Sequence, residues 1–375
     1  MQVSIIARYW GRKPVELVKP FIGDDDVVVD PFGGSGTIIL SALSLGKKGV
    51  YIDLNPYAWL VAHVAIAGAN PAEFRKAASA VLELSNNLAQ VASSARLRND
   101  YLWYRSVDRP FLKRRNFDRV SDFFTADARR KLRSILMAID AVETGAREKL
   151  ALYLAFCNAL YPSSLMKRCG AGSWAVPSYW APARSCPEDP FHAFIKSVNR
   201  LYSYVVEGPG YRVGYNTSSI DKSDSVLLLG NAVTFRGYRG EWTLITDPPH
   251  VDEVQYMELS FFYWAWLRES RFPQIVKSLL GKEPRYYFSK ELTVNYNRGQ
   301  TIEEYMDMLA GFMHRTKRLR KKVLIYHEEN KAVLDRVVGL AQRIWGDVKI
   351  EQIEIENQRC VGPRGGRTYT IIASL

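Results

Sequence analysis

One stretch near the start of the chain constrains the possible folds more than any other. The sequence DPFGGSGT occupies positions 30–37, directly after an apolar, β-branched run at 27–29. A second such run follows at 50–54, and the residues between the two runs have a helical pattern that ends at Gly46. A strand, a glycine-rich turn, a helix and a second strand, in this order, predict a βαβ unit with two parallel strands.

Further strands are predicted along the chain, with one long interruption. Apolar runs bounded by turn residues bring the total to seven strands, the other five lying at 226–229, 242–246, 323–326, 348–355 and 368–372. From 72 to 221 helical patterning replaces the strand signal. We therefore expect an α/β protein with a Rossmann-like, doubly wound sheet of seven strands formed by 1–70 and 222–375, and a mostly helical insertion at 71–221.

The composition indicates a folded protein with a polyanionic partner. The chain has 375 residues, of which 47% are hydrophobic, and its formal net charge is +12. Clustered lysine and arginine attract phosphate groups, although the charge alone would also suit an acidic membrane surface. No run of 18 apolar residues is present, and Arg8, Arg12 and Lys13 interrupt the apolar centre that a signal peptide needs. We expect a soluble, cytoplasmic protein without a membrane partner.

The four cysteines do not form a metal-binding or redox motif. Cys157, Cys169, Cys186 and Cys360 are separated by 12, 17 and 174 positions, so that no pair has the CxxC spacing of a zinc or dithiol site. We expect buried thiols and no bound metal.

The glycine-rich turn and the carboxylate after the second strand together predict a nucleotide-like ligand. Glycines let the backbone approach a ligand closely. Thr37 and Ile38 follow the last glycine, where a phosphate-binding loop needs Lys and then Ser or Thr, so a nucleoside triphosphate is disfavoured. Asp53 lies 20 positions after Gly33, the spacing at which a carboxylate reaches ribose hydroxyls. NAD and S-adenosylmethionine both carry that ribose, and a plain strand-to-helix turn with an exposed Asp53 is the alternative.

The sequence Asp247-Pro248-Pro249-His250 follows the run at 242–246 and suits chemistry on an amino group. The amino group of an aromatic base is a poor nucleophile because its lone pair is delocalised into the ring. The Asp247 carboxylate and the Pro248 carbonyl would accept its two hydrogens and localise that lone pair toward a methyl sulfonium. A planar side chain at position 250 could stack on a base flipped out of its helix. DPP is also a common turn after a strand, so the motif has a purely structural alternative.

Four motifs together resemble those of one enzyme family. YWGRKP at 9–14, DPFGGSGT at 30–37, YIDLNPYA at 51–58 and DPPH at 247–250 follow the order found in DNA amino-methyltransferases of the N6-adenine and N4-cytosine type. The resemblance covers the predicted sheet domain and leaves out the insertion. It implies that S-adenosylmethionine is the cofactor, with the first motif on its methionine part, the second motif as its cradle and Asp53 on its ribose. The cofactor-binding residues that it implies are Tyr9, Trp10, Gly11, Lys13, Asp30, Pro31, Phe32, Gly33, Gly34, Ser35, Gly36, Thr37, Asp53, Asn55 and Asn231.

Two positions depart from the pattern of this family. His250 stands where the family has Tyr, Phe or Trp, and an imidazole stacks more weakly than these rings and can carry a charge. Asn231 stands where such enzymes often have an acidic residue on the adenine amine, a bond that its side-chain oxygen can still accept. Because of His250, either the target differs or catalysis is impaired. If His250 is structural, another ring must hold the base, and Tyr256 is the nearest candidate in sequence.

The predicted insertion carries a basic, aromatic segment that is typical of nucleic-acid surfaces. Residues 96–133 include 12 Lys and Arg against 5 Asp and Glu, a net charge of +7, with aromatic residues interleaved. The alternative is a solvated helix face with its aromatics buried beneath. We expect phosphate contacts from Lys113, Arg114 and Arg115, and the insertion is the candidate target-recognition region.

The sequence therefore predicts an S-adenosylmethionine-dependent, site-specific DNA methyltransferase that acts on an exocyclic amino group of adenine or cytosine. An RNA base N-methyltransferase, on tRNA or rRNA, would use the same chemistry. A protein-glutamine methyltransferase has Asn where Asp247 stands, and the basic insertion would have no purpose in it. A catalytically impaired nucleic-acid-binding homologue stays open because of His250, whereas a dehydrogenase leaves DPPH and YWGRKP unexplained.

Overall fold

The computed structural model describes residues 6–7, 9–10, 15–23, 27–102, 117–170, 179, 181–208, 210–251, 254–355 and 367–374. The chain forms two compact units. The sheet unit consists of Gly11–Leu54, Arg212–Gln255 and Tyr287–Leu375, and the helical unit of Met1–Trp10, Asn55–Tyr211 and Tyr256–Tyr286. The domain boundaries read from the sequence stay a prediction.

The sheet unit is built around one mixed, mostly parallel sheet of eight strands. They are β1 (Val27–Asp30), β2 (Lys48–Asp53), β3 (Val213–Gly214), β4 (Ser225–Leu229), β5 (Thr243–Thr246), β6 (Lys321–Tyr326), β7 (Lys349–Ile355) and β8 (Arg367–Ser374). Their spatial order is β3-β4-β2-β1-β5-β6-β8-β7, and all neighbours are parallel except β6 with β8 and β8 with β7. The α/β class is confirmed. The predicted number of seven strands is wrong, because β3 is too short to show an apolar run and lies within the predicted insertion.

The α-helices in the described residues are α1 (Val15–Val18), α2 (Thr37–Ser44), α3 (Pro56–Ala67), α4 (Pro71–Leu88), α5 (Ala126–Ala141), α6 (Ala146–Leu160), α7 (Pro190–Glu207), α8 (Tyr256–Leu267), α9 (Phe272–Leu280), α10 (Ile302–Thr316) and α11 (Lys331–Trp345). Side chains at the N-terminal ends explain where several of them begin. Asn55, Asn70 and Asp189 each precede a proline and accept hydrogen bonds from the first turn of α3, α4 and α7. Thr301 and Glu304 form a reciprocal capping box at the start of α10.

Helices cover both faces of the sheet. Successive side chains of a strand point to opposite faces, so neighbouring residues enter different cores. Val28 packs in a core with Ile38 of α2 and the side chains of α1. Val29 belongs to the other core, which contains Leu309 of α10 and Val337 of α11. The strands are therefore apolar on both sides, as expected for a sheet buried between two layers.

The helical unit has its own core. Every residue of α3 is buried, including His63, whose pKa is lowered to about 3 by burial, so that its imidazole is neutral. α4 packs against α5, and α6 against α7. Phe124 stacks on Phe262 with ring centroids 5.5 Å apart and lies edge-on to Trp266 at 5.4 Å. None of the helices in the described ranges is long and apolar enough to cross a membrane.

The expectation that all cysteines are buried thiols is wrong. Cys169 and Cys186 form a disulfide bond. The two flanks come together because Arg168 and Ser185 pair as an antiparallel bridge and the Cys186 N–H donates to the Lys167 carbonyl at 2.9 Å. Cys157 is a buried thiol as predicted, and burial raises its pKa. Cys360 lies outside the described residues.

Candidate functional site

The predicted site residues of the sheet unit lie at one edge of the sheet. Because β4, β2, β1 and β5 are parallel, their carboxyl ends meet at the same edge. Asp30 ends β1, Asp53 ends β2, Asn231 follows β4 and Asp247 follows β5. β2 lies on one side of β1 and β5 on the other, so the strand order reverses here, and open α/β sheets bind ligands at such switch points.

Asp30 connects the ends of the two central strands. Its Oδ1 accepts a hydrogen bond of 2.6 Å from the Thr246 hydroxyl at the end of β5 and one of 3.3 Å from the Phe32 N–H. Burial raises the pKa of Asp30 to about 8; the bond from Thr246 opposes this rise and the nearby Asp247 carboxylate adds to it. The protonated carboxyl is therefore favoured at neutral pH. Through this contact the glycine-rich turn and the DPPH segment start side by side.

The turn after β1 has a backbone that requires its glycines. Gly34 and Gly36 have φ angles of +49° and +83°, in the left-handed region that favours glycine, and Gly36 is the N-cap of α2. A Cβ atom on Gly33 would lie 2.3 Å from the ring of Tyr51. The Tyr51 hydroxyl donates to the Gly34 carbonyl at 2.8 Å. The turn is thus fixed against β2 with its backbone close-packed.

Asp53 binds the same turn. Its Oδ2 accepts a hydrogen bond of 2.7 Å from the Gly34 N–H, and its backbone carbonyl accepts one of 2.7 Å from the Gly230 N–H. The carboxylate therefore positions the turn, a role that the spacing argument did not assign to it. A carboxylate can accept about four hydrogen bonds in all, so the predicted ribose contact stays a prediction.

The remaining residues of the turn support its shape. Pro31 and Ser35 are buried. The Phe32 ring meets the Phe312 ring edge-on with centroids 5.0 Å apart. The hydroxyls of Ser35 and Thr37 lie 3.3 Å from each other at the start of α2. Sequence reasoning grouped these residues as one cofactor cradle, and the structure brings them together in one continuous turn.

The DPPH segment is held from beneath by two tyrosines. The Tyr305 hydroxyl of α10 donates to the Pro249 carbonyl at 2.9 Å and lies 2.8 Å from the Tyr326 hydroxyl at the end of β6. A single phenol proton cannot serve both bonds, so Tyr326 donates to Tyr305. Among the described residues no hydrogen bond involves the Pro248 carbonyl. The Asp247 Oδ1 lies 3.6 Å from the His250 Nε2.

His250 is buried, with 6% of its side chain exposed. Its ring meets the Tyr326 ring edge-on with centroids 5.1 Å apart, and the His327 ring at 5.9 Å. His250 lines a cavity of about 770 Å³ next to the ends of β5 and β6. Polar and aromatic side chains line much of it, among them His250, Tyr296, His327, Glu328, Glu329 and Arg336.

The residues that follow β6 were not predicted as site residues. His327, Glu328 and Glu329 come directly after β6, as Asp247 does after β5. The same argument, that polar residues at the carboxyl ends of parallel strands share one edge, would have found them. Tyr296 carried no such signal, since it lies in a turn between helices.

Asn231 uses its side chain locally. Its Oδ1 accepts a hydrogen bond of 2.8 Å from the Val233 N–H, and its Nδ2 lies 3.4 Å from the Lys290 carbonyl. A second lone pair on the oxygen leaves the predicted bond to a base amine possible, and that bond stays a prediction.

Four other predicted site residues belong to the helical unit. Tyr9 stacks between Tyr57 and Tyr256, with centroids at 6.2 Å and 5.9 Å, and Trp10 meets Tyr9 edge-on at 5.6 Å. Asn55 caps α3 and donates to the Ser260 hydroxyl at 2.7 Å. The predicted residues Gly11, Lys13, Lys113, Arg114 and Arg115 lie outside the described part of the chain.

No protein-family model matches the chain, and no curated protein matches it.

Proposed function

We propose that this protein is an S-adenosylmethionine-dependent methyltransferase that acts on an exocyclic amino group of a nucleobase, with N6-adenine or N4-cytosine in DNA as the first candidates. The observation that carries the proposal is the 2.6 Å bond from Thr246 to Asp30. It joins the strand end that opens the glycine-rich turn to the strand end that opens DPPH. We interpret the fold as a doubly wound, Rossmann-like methyltransferase sheet with β3 added at one edge.

The residues around the turn fit the proposed cofactor. A left-handed glycine backbone at a helix start, closed by a carboxylate from the next strand, suits a ligand that carries a ribose and an amino acid. Gly34 and Gly36 would lie against it, and Asp53 would accept from its ribose while holding the turn. When bound, the cofactor supplies an electrophilic methyl group on a sulfonium.

Acceptors on the DPPH segment would make the substrate amine nucleophilic. The Asp247 carboxylate and the Pro248 carbonyl would each accept a hydrogen bond from one of the two amine hydrogens. These bonds move the nitrogen lone pair out of conjugation with the ring. The Tyr305 hydroxyl already donates to the Pro249 carbonyl, whereas the Pro248 carbonyl accepts no hydrogen bond among the described residues. The proton is lost to Asp247 or to solvent after methyl transfer.

The reaction can be tested directly. The protein is incubated with methyl-labelled S-adenosylmethionine and separate pools of DNA and RNA, and the modified nucleoside is identified. We expect label in N6-methyladenine or N4-methylcytosine of DNA. The label should be lost in Asp247→Ala with cofactor affinity retained, because the proposed ligand contact of Asp247 is with the reacting amine and not with the cofactor. Label in RNA alone would move the substrate to tRNA or rRNA. Cofactor binding without any transfer would indicate a silent nucleic-acid-binding protein, a reading consistent with the buried, edge-on ring of His250.

A further inference from the structure

A tight turn presents one exposed tyrosine beside the cavity. The N–H of Asn295 donates to the Gln300 carbonyl at 2.9 Å and the Gln300 N–H returns the bond at 3.0 Å, which closes a six-residue turn. Gly299 has a φ of +73° within it. Tyr296 at its tip is 69% exposed and lines the cavity with His250.

This turn is fastened to the segment that follows DPPH. The Val294 N–H donates to the Val251 carbonyl at 2.7 Å, and the Gln255 side chain donates to the Val294 carbonyl at 2.9 Å. The Asn295 amide in turn donates to the Gln255 side-chain oxygen at 2.7 Å, and Asn295 itself is buried. The backbone that carries Tyr296 is thus ordered in advance, so that binding through this ring would cost little conformational entropy.

The cavity offers acceptors to a ligand. The His327 Nδ1 lies 2.8 Å from the Thr368 carbonyl, which can only accept, so the neutral ring carries its hydrogen on Nδ1 and leaves Nε2 as an acceptor. Glu328 and Glu329 add carboxylates, while Arg336 is paired with Glu303 at 2.5 Å. The carboxylates repel phosphate, and together with the His327 Nε2 they favour a neutral planar ring with N–H donors. A nucleobase has these properties.

We propose that Tyr296 stacks on a nucleobase that enters this cavity, with the sugar-phosphate backbone left outside. The inference rests on the proposed function only in taking nucleic acid as the ligand. It assigns the main stacking contact to a ring outside the DPPH segment. His250, being buried and edge-on to its neighbours, then forms the wall of the cavity.

The test compares strands with and without bases. Binding of fluorescently labelled 20-mer single-stranded DNA, and of an abasic strand of the same length, is measured by anisotropy at several salt concentrations without cofactor. Tyr296→Ala should weaken binding of the base-bearing strand about 10- to 100-fold, leave the abasic strand unaffected and keep the salt slope unchanged, because stacking involves no phosphate. Tyr296→Trp should restore binding.

Tyr287→Ala is the matched control, since Tyr287 is 40% exposed and does not line the cavity. It should bind both strands as the parent does. Equal effects of Tyr296→Ala on both strands, or no effect on either, would overturn the proposal, as would a parent that does not distinguish the two strands. Because the assay needs no methyl transfer, an inactive parent that still prefers bases would refute the proposed reaction while retaining this site.

Discussion

At the scale of single residues, folding changes the protonation of Asp30. Its pKa of about 8 means that between about pH 4 and pH 8 the folded chain holds a proton that the unfolded chain has released. Stability therefore falls as pH rises through this window. In Asp30→Asn this dependence is absent. From pH 5.5 to pH 8 the free energy of unfolding of the variant should therefore rise, relative to that of the parent, by at most about 3 kcal/mol. Thermal midpoints at the two pH values measure it, and parallel pH curves would contradict the shifted pKa.

Asp53 has two roles that two substitutions separate. Asp53→Ala removes both the bond to the Gly34 N–H and any bond to the ribose, whereas Asp53→Asn keeps an oxygen for Gly34 but loses the charge. We expect the Asn variant to retain the parental thermal midpoint and to lose about 1–3 kcal/mol of S-adenosylmethionine affinity in calorimetry. Parental affinity in the Asn variant would leave Asp53 as a support of the turn alone.

Tyr305 positions the DPPH segment, and its hydroxyl can be removed without changing its volume much. Tyr305→Phe leaves the Pro249 carbonyl and the Tyr326 hydroxyl without their common partner. This loss should lower the free energy of unfolding by about 1–3 kcal/mol. We expect lower kcat with unchanged KM for the cofactor. Tyr326→Phe is the control, because the bond from Tyr305 to Pro249 survives in it. Equal kcat losses in the two variants would argue against positioning through Pro249.

The candidate site was predictable where its signal is local in sequence. Asp30, Asp53 and Asp247 each end or follow an apolar run, so the strand pattern alone sends them to one edge. Tyr305 and Tyr296 could not be found this way. Tyr305 acts on a carbonyl 56 positions away, and Tyr296 matters because of a turn whose anchoring bonds come from distant segments. Such contacts depend on the packed backbone.

Among the secondary-structure elements, the long apolar runs were correctly predicted as strands. The short strand β3 and the uniformly buried helix α3 were not predicted. β1, β2 and β4 to β8 overlap the predicted runs, whereas β3 is held by its pairing with β4 and has no pattern of its own. α3 is buried on all sides, so it has no polar face to give a helical period. The disulfide escaped detection because a separation of 17 positions says nothing about the antiparallel bridge that closes it.

The disulfide bond predicts that the stability of the protein depends on reductant. Cross-linking Cys169 to Cys186 restricts the unfolded chain, and for a loop of this length the stabilisation is about 3 kcal/mol in the chain-entropy view. We expect the reduced protein and the Cys169→Ser variant to have lower thermal midpoints than the oxidised parent. Cys157→Ser removes a thiol that is not part of the disulfide and serves as the control. Reductant should lower its thermal midpoint by the same amount as it lowers that of the parent. A midpoint insensitive to reductant in the parent would contradict the bond.

For the whole molecule, the net charge of +12 predicts salt-dependent binding. Changing Lys113, Arg114 and Arg115 to Gln should flatten the plot of log affinity against log salt by about one unit per lost phosphate contact. A triple change of the exposed residues Lys76, Lys317 and Arg318 removes the same charge and serves as control. If both triple variants reduce the slope equally, the effect belongs to the net charge and not to the basic segment.

The two outer strands of the sheet, β3 and β7, are the places where another chain could pair with it edge to edge. A bare strand edge is a template on which another chain can extend the sheet. At one end β3 offers only two residues, too few for a stable new ladder. At the other end β7 places Lys349, Glu351 and Glu354 on exposed positions, so an incoming strand would have to bury charges. Lateral growth into aggregates is thus opposed by brevity at one border of the sheet and by charge at the other.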